Sequence, residues 1–132
     1  MGRLVYLDSS ALVKLVLPEA ESAALMQFLA GSLDRVTSSV AVVEVVRAAR
    51  RASDDPGVER RAREVMAGVD LLQMNAPTLD VAAGAEPRAL RSLDAIHLAA
   101  ATELGDDLAA MVVYDAALAK AARAAGINVI AP

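Results

Sequence analysis

One local pattern constrains this chain more than any other: a short unbroken apolar run, closed by an acid, with helix-forming sequence directly behind it. Leu4-Val5-Tyr6-Leu7 runs into Asp8-Ser9-Ser10, and Ala110-Met111-Val112-Val113-Tyr114 runs into Asp115. Runs this short, without polar alternation, fit strands covered on both faces. Two weaker strand candidates, Val36-Thr37-Ser38 and Leu71-Leu72-Gln73-Met74, lie between them, and Ile127-Asn128-Val129-Ile130 closes the chain.

Helical sequence fills the intervals. A helix is predicted from Ala11 and broken by Pro18, and a second covers Glu19 to Leu29. Ser39 is placed to cap a helix over Val40–Ala52, and Ser53-Asp54-Asp55-Pro56-Gly57 stops it. Further helices are expected over Val58–Ala67, from Pro77, over Leu90–Leu104, and over Ala116–Ala125 up to Gly126. Strands alternating with helices predict an α/β fold, a three-layer α/β/α domain around a parallel sheet of about five strands.

Composition supports a packed core. The 132 residues are 56% hydrophobic but only 2% aromatic, so the interior must be built from Ala, Val and Leu. No repeat, linker or composition break divides the chain, and a single domain over residues 1–132 is expected. The absence of cysteine excludes disulfide frameworks, thiolate zinc sites and cysteine nucleophiles, and a single histidine, His97, excludes multi-histidine metal sites. A net charge of −4 is not the footprint of bulk nucleic-acid binding, although Arg47, Arg50, Arg51, Arg60, Arg61 and Arg63 crowd one stretch. Lys14, Glu44, Asp94 and Asp115 interrupt every apolar run long enough to span a bilayer, and the first residues lack a secretory apolar segment. A cytoplasmic protein without membrane contact is expected.

The acids carry the chemistry. In open α/β sheets ligands bind outside the carboxyl ends of the strands, where Asp8 and Asp115 fall; each is also what a helix N-cap looks like. Glu44 sits in Val40-Ala41-Val42-Val43-Glu44-Val45-Val46, a setting that desolvates a carboxylate unless it is paired, protonated or on a metal. The bland reading turns it outward on an exposed helix face, or pairs it with Arg47 or Lys14. Asp94 repeats the pattern in Leu93-Asp94-Ala95-Ile96-His97-Leu98-Ala99. His97 lies three residues on, within reach of a hydrogen bond to Asp94, and reads better as a satisfied, half-buried histidine than as a catalytic base. Crowded carboxylates with few neutralising partners call for a cation, and an oxygen-only set selects Mg2+ or Mn2+. Such a cluster positions phosphate oxygens and activates water. Ser9, Ser38 and Ser39 supply hydroxyls at the same strand ends, either as helix caps or to hold a water or carboxylate.

Taken in order, these motifs resemble the PIN-domain ribonucleases, and among them the VapC-type toxins of bacterial toxin–antitoxin pairs. The match runs through Leu7-Asp8-Ser9-Ser10-Ala11-Leu12-Val13-Lys14, Ser38-Ser39-Val40-Ala41-Val42-Val43-Glu44, Leu93 to Ala99, and Val113-Tyr114-Asp115-Ala116-Ala117-Leu118, with Gly126 and Ile130 closing it. It departs at Val113, where many members carry Thr or Ser. The resemblance implies a Mg2+- or Mn2+-dependent endoribonuclease that hydrolyses RNA phosphodiester bonds. Asp8, Glu44, Asp94 and Asp115 would form its acidic metal site, with Asp8 and Asp94 the principal ligands. It also implies a homodimer and an antitoxin that wraps the toxin and inserts a basic side chain into the acidic pocket. Lys14, Arg47, Arg50 and Arg51 are candidates to contact RNA backbone, or else a solvated helix surface. A receiver-like domain would need a paired acid beside Asp8, and a haloacid-type phosphatase an Asp in place of Ser10. The remaining alternative is a PIN fold that binds antitoxin or RNA without cleaving.

Overall fold

The apolar runs form the strands of one parallel sheet. The computed structural model describes residues 2–31 and 33–132. In chain order the elements are β1 (Leu4–Leu7), α1 (Ser9–Val16), α2 (Ser22–Leu29), β2 (Asp34–Ser38), α3 (Ala41–Ala52), α4 (Pro56–Ala67), β3 (Asp70–Leu72), α5 (Ala76–Ala83), α6 (Ser92–Glu103), β4 (Leu108–Val112), α7 (Ala116–Ala124) and β5 (Val129–Ile130). The strand order is β3-β2-β1-β4-β5, and every neighbouring pair is parallel. The chain therefore winds outward from β1 to β3 and then crosses to β4 on the other side of β1. That reversal puts the topological switch point between β1 and β4, where Leu7 pairs with Val112.

The pleat divides the core into two layers. Val5 and Leu7 of β1 with Ala110 and Val112 of β4 face one way, against Leu12, Leu15, Leu25, Val45, Ala49 and Met66 from α1 to α4. Tyr6, Val36, Met111 and Val113 face the other way, against Leu98, Ala101, Leu118 and Ala122 of α6 and α7. The expected three-layer architecture is what forms. Alanine dominates the second face, which lets α6 and α7 approach the sheet closely without aromatic filler.

Several boundaries differ from the sequence reading for identifiable reasons. The fourth helix begins at Pro56, two residues early, because proline suits the first helical turn and Asp55 caps it by accepting from the Gly57 N–H at 2.9 Å. Helix α3 starts at Ala41 with no side-chain cap; Ser38, not Ser39, takes up a local donor, accepting from the Val40 N–H at 3.3 Å. Helix α6 starts at Ser92 because Arg91 is extended. Gly126 follows α7 at φ 86°, a left-handed turn that suits glycine. Among the described residues no helix is long and apolar enough to cross a membrane.

Candidate active site

Four segments deliver one carboxylate each to a single cleft of about 810 Å³ beside the switch point. Asp8 arrives from the end of β1, Glu44 and Asp94 from the first turns of α3 and α6, and Asp115 from the turn into α7.

Asp8 is both a helix cap and a lining residue of the cleft. Only 2% of it is exposed, and its Oδ1 accepts from the Ala11 N–H at 3.0 Å. The Ser10 hydroxyl lies 2.7 and 2.9 Å from its two oxygens and accepts in turn from the Tyr114 N–H at 3.1 Å, tying β1 to the end of β4. Burial pushes the Asp8 carboxyl up to about 6, against the opposing pull of those hydrogen bonds.

Glu44 is held from two sides. Its Oε1 lies 2.7 Å from His97 Nε2, and its Oε2 accepts from the Ser9 hydroxyl at 2.8 Å. Burial acts to raise its pKa, but the hydrogen bonds to His97 and Ser9 prevail and keep it below the usual range. Neither bland alternative holds: Glu44 is largely buried and pairs with His97, not with Arg47 or Lys14. His97 also bonds to Glu44 rather than to Asp94, because its ring turns inward against the sheet. It is fully buried rather than half-buried, with both ring nitrogens partnered.

Asp94 is half-buried, and its pKa is raised first by burial and then by the charge of Asp115, with Glu44 adding to the effect. Asp115 is more open, and its Oδ2 accepts from the Leu118 N–H at 2.8 Å as the cap of α7. Val113, where a hydroxyl would have been useful, is 1% exposed and packs into the core.

The chemistry of this donor set suits a hard divalent cation. It is all oxygen, and mutual repulsion and desolvation raise Asp8 and Asp94. Among the described residues, however, no three such side chains stand close enough in this conformation to form a ligand shell.

The basic residues sort unequally. Arg47 and Arg51 line the cleft. Arg50 instead pairs with Glu59 at 2.9 Å. Lys14 lines the cleft as well, but is clamped by Glu19, itself a lining residue, and by Glu21, both at 2.8 Å, and lies 4.7 Å from the centre of the Tyr114 ring. Arg91, which the sequence reading passed over, also lines the cleft and lowers Asp94 electrostatically. Its position directly before a helix that carries an acid in its first turn was the available signal. Ser10 and Tyr6 were missed as well. Ser10 neighbours the first acid, and a tyrosine in a fully buried strand must find a partner for its hydroxyl.

The family model for the PIN domain matches residues 5–124. The chain belongs to the PIN-domain family. Within that family it is 44% identical over 128 residues to Ribonuclease VapC46 of Mycobacterium tuberculosis (strain ATCC 25618 / H37Rv), covering 97% of each chain. It is 38% identical over 133 residues to Ribonuclease VapC47 of Mycobacterium tuberculosis (strain CDC 1551 / Oshkosh), covering 98% of this chain and 97% of that one. Among solved structures, the PIN fold is shared with Mycobacterium tuberculosis VapC20, a sarcin-ricin loop cleaving toxin, at TM-score 0.75 and 18% identity over 97% of this chain and 99% of that one. It is shared too with VapBC2 from Rickettsia felis bound to a promoter DNA fragment, at TM-score 0.72 and 11% identity over 97% and 98%.

Proposed function

We propose that this chain is the toxin of a toxin–antitoxin pair, an endoribonuclease that hydrolyses RNA phosphodiester bonds with Mg2+ or Mn2+ at Asp8, Glu44, Asp94 and Asp115. The observation that carries the reading is the convergence of those four acids on one cleft, in a chain with curated ribonuclease relatives along nearly its whole length.

Asp8 and Asp94 would be the principal metal ligands, with Glu44 and Asp115 completing the shell directly or through water. A bound divalent cation supplies charge for the phosphate oxygens and a more acidic water. Asp8, with its carboxyl near 6, is largely ionised at neutral pH and would give up its remaining proton on binding a cation. Glu44 stays ionised and, held by His97 and Ser9, presents its remaining lone pairs to the cleft to orient the attacking water. Arg47, Arg51 and Arg91 stand on the same cleft to meet the flanking phosphates, which reconciles RNA binding with a net negative chain. No covalent enzyme intermediate is needed.

The same reading makes residues 1–132 one PIN domain, acting in the cytoplasm as a homodimer and silenced by a cognate antitoxin that inserts a basic side chain into the acidic pocket. The test is cleavage of a mixed RNA pool by purified protein with Mg2+ or Mn2+, beside EDTA and Asp8→Ala controls. Cleavage lost in both controls is expected. Cleavage indifferent to Asp8 or to chelation would sink the reading, and antitoxin binding without any cleavage would leave a binding-only PIN fold.

A further inference from the structure

We propose that His97 is a positioning residue, the buried link of a relay that runs from β2 through Tyr6 to Glu44 and fixes the direction in which that carboxylate faces the cleft. The proposal rests on the nuclease reading above.

Donor and acceptor accounting defines the relay. The Tyr6 hydroxyl oxygen accepts from the Ser38 N–H at 3.1 Å, and 2.6 Å away on its other side is His97 Nδ1. The relay assigns the Tyr6 hydrogen to Nδ1, which accepts it, over the nearby Thr37 hydroxyl, whose own hydrogen goes to the Leu7 carbonyl. A neutral imidazole that accepts at Nδ1 carries its own hydrogen on Nε2. Nε2 lies 2.7 Å from Glu44 Oε1, so His97 donates there, while Ser9 donates to Oε2 at 2.8 Å. Each carboxylate oxygen is then anchored once, from a different helix, and the plane of the carboxylate is set before any ligand arrives.

Burial decides the kind of role. Tyr6 and His97 are both 0% exposed, with their rings edge to face at 5.7 Å between centroids. An imidazole so enclosed cannot touch RNA or a solvent-borne ion. It acts only through Glu44. The relay is also more than a satisfied core pair, because one end is a backbone N–H of the sheet and the other is a carboxylate of the cleft. Groups of this kind, which orient a ligating side chain from behind, change metal affinity or activity by about 10- to 100-fold when lost.

The experiment compares His97→Met with His97→Gln. The two side chains are nearly the same size, but only glutamine can donate to Glu44. Mn2+ binding is read by calorimetry, and RNA cleavage as kcat and KM separately. His97→Met is expected to lose about 10-fold or more in Mn2+ affinity and in kcat with the RNA KM unchanged, and His97→Gln to recover much of both. Equal Mn2+ affinity in wild type and His97→Met overturns the proposal. Because His97 is the only histidine, imidazole 15N NMR of the wild type gives a second readout that needs no variant to fold. A hydrogen on Nε2 whose resonance moves on adding Mg2+ supports the relay, and an Nε2 without hydrogen overturns it. Wild type that neither binds Mn2+ nor cleaves RNA defeats the nuclease reading and this proposal with it; wild type that does both while His97→Met matches it defeats the proposal alone.

Discussion

Replacing Asp8 by asparagine should stabilise the metal-free protein at neutral pH while abolishing cleavage. Burial raises this carboxyl from 3.8 to about 6 in the fold. At about 1.36 kcal/mol per tenfold change in the proton equilibrium, ionised Asp8 costs the fold about 3 kcal/mol. The sign follows from which state holds the proton. Below the unfolded value both states are protonated and there is no penalty; between that value and the folded one only the unfolded state gives up its proton, so stability falls across this window and the full penalty stands once pH passes the folded value. Asparagine keeps an Oδ1 for the Ala11 N–H and the Ser10 hydroxyl and loses only the second Ser10 contact, a loss of about 1 kcal/mol. The net gain at pH 7 is then about 2 kcal/mol, or about 8 °C in Tm for a chain of this size. Thermal unfolding with EDTA at pH 7 and at pH 3.5 measures it: Asp8→Asn should lead at pH 7 and lose its lead at pH 3.5. An Asp8→Asn protein less stable than wild type at pH 7, or equally advantaged at both pH values, would refute the account of Asp8 as a strained, desolvated ligand. Added Mg2+ should raise the wild-type Tm and leave Asp8→Asn unmoved.

Other expectations separate roles within the cleft. Asp115→Asn should keep the α7 cap and the stability of the wild type yet slow cleavage, whereas Asp115→Ala should also lose about 1 kcal/mol of stability in urea unfolding. Arg47→Ala with Arg51→Ala should raise the RNA KM and reduce the slope of log affinity against log salt by about 1.4, as two phosphate contacts on single-stranded RNA would; an unchanged slope would return both to the solvated surface. Thr37→Val removes the hydroxyl that donates to the Leu7 carbonyl at 2.6 Å, and should cost about 1 kcal/mol by chemical denaturation with the RNA KM unaffected.

The sheet and its ligand edge were legible in the chain because their signals are local. Continuous apolar runs ending in Asp8 and Asp115 mark parallel strands and place both acids at strand ends, where such sheets bind ligands. The apolar neighbours of Glu44 and Asp94 likewise mark carboxylates that are costly to bury unless paired or on a metal. Helix ends were less legible: Pro56 reads as a breaker until one sees that Asp55 caps the turn around it, and Ser39 reads as a cap although α3 starts with no side-chain cap at all. Which groups meet was beyond the sequence. That His97 bonds Glu44 and not Asp94, that Arg50 is spent on Glu59 while Arg91 reaches the cleft, and that Ser10 joins Asp8 to the Tyr114 backbone all depend on how α3, α4 and α6 pack on the sheet. Residues 53 apart such as Glu44 and His97 become neighbours only when two helices are fixed against opposite faces of β1 and β2, and no spacing along the chain encodes that distance. The amino-acid sequence alone determined the layers and the acids; tertiary packing decided which partners each one meets and how deeply each is buried, and so which way Asp8, Glu44 and Asp94 are shifted.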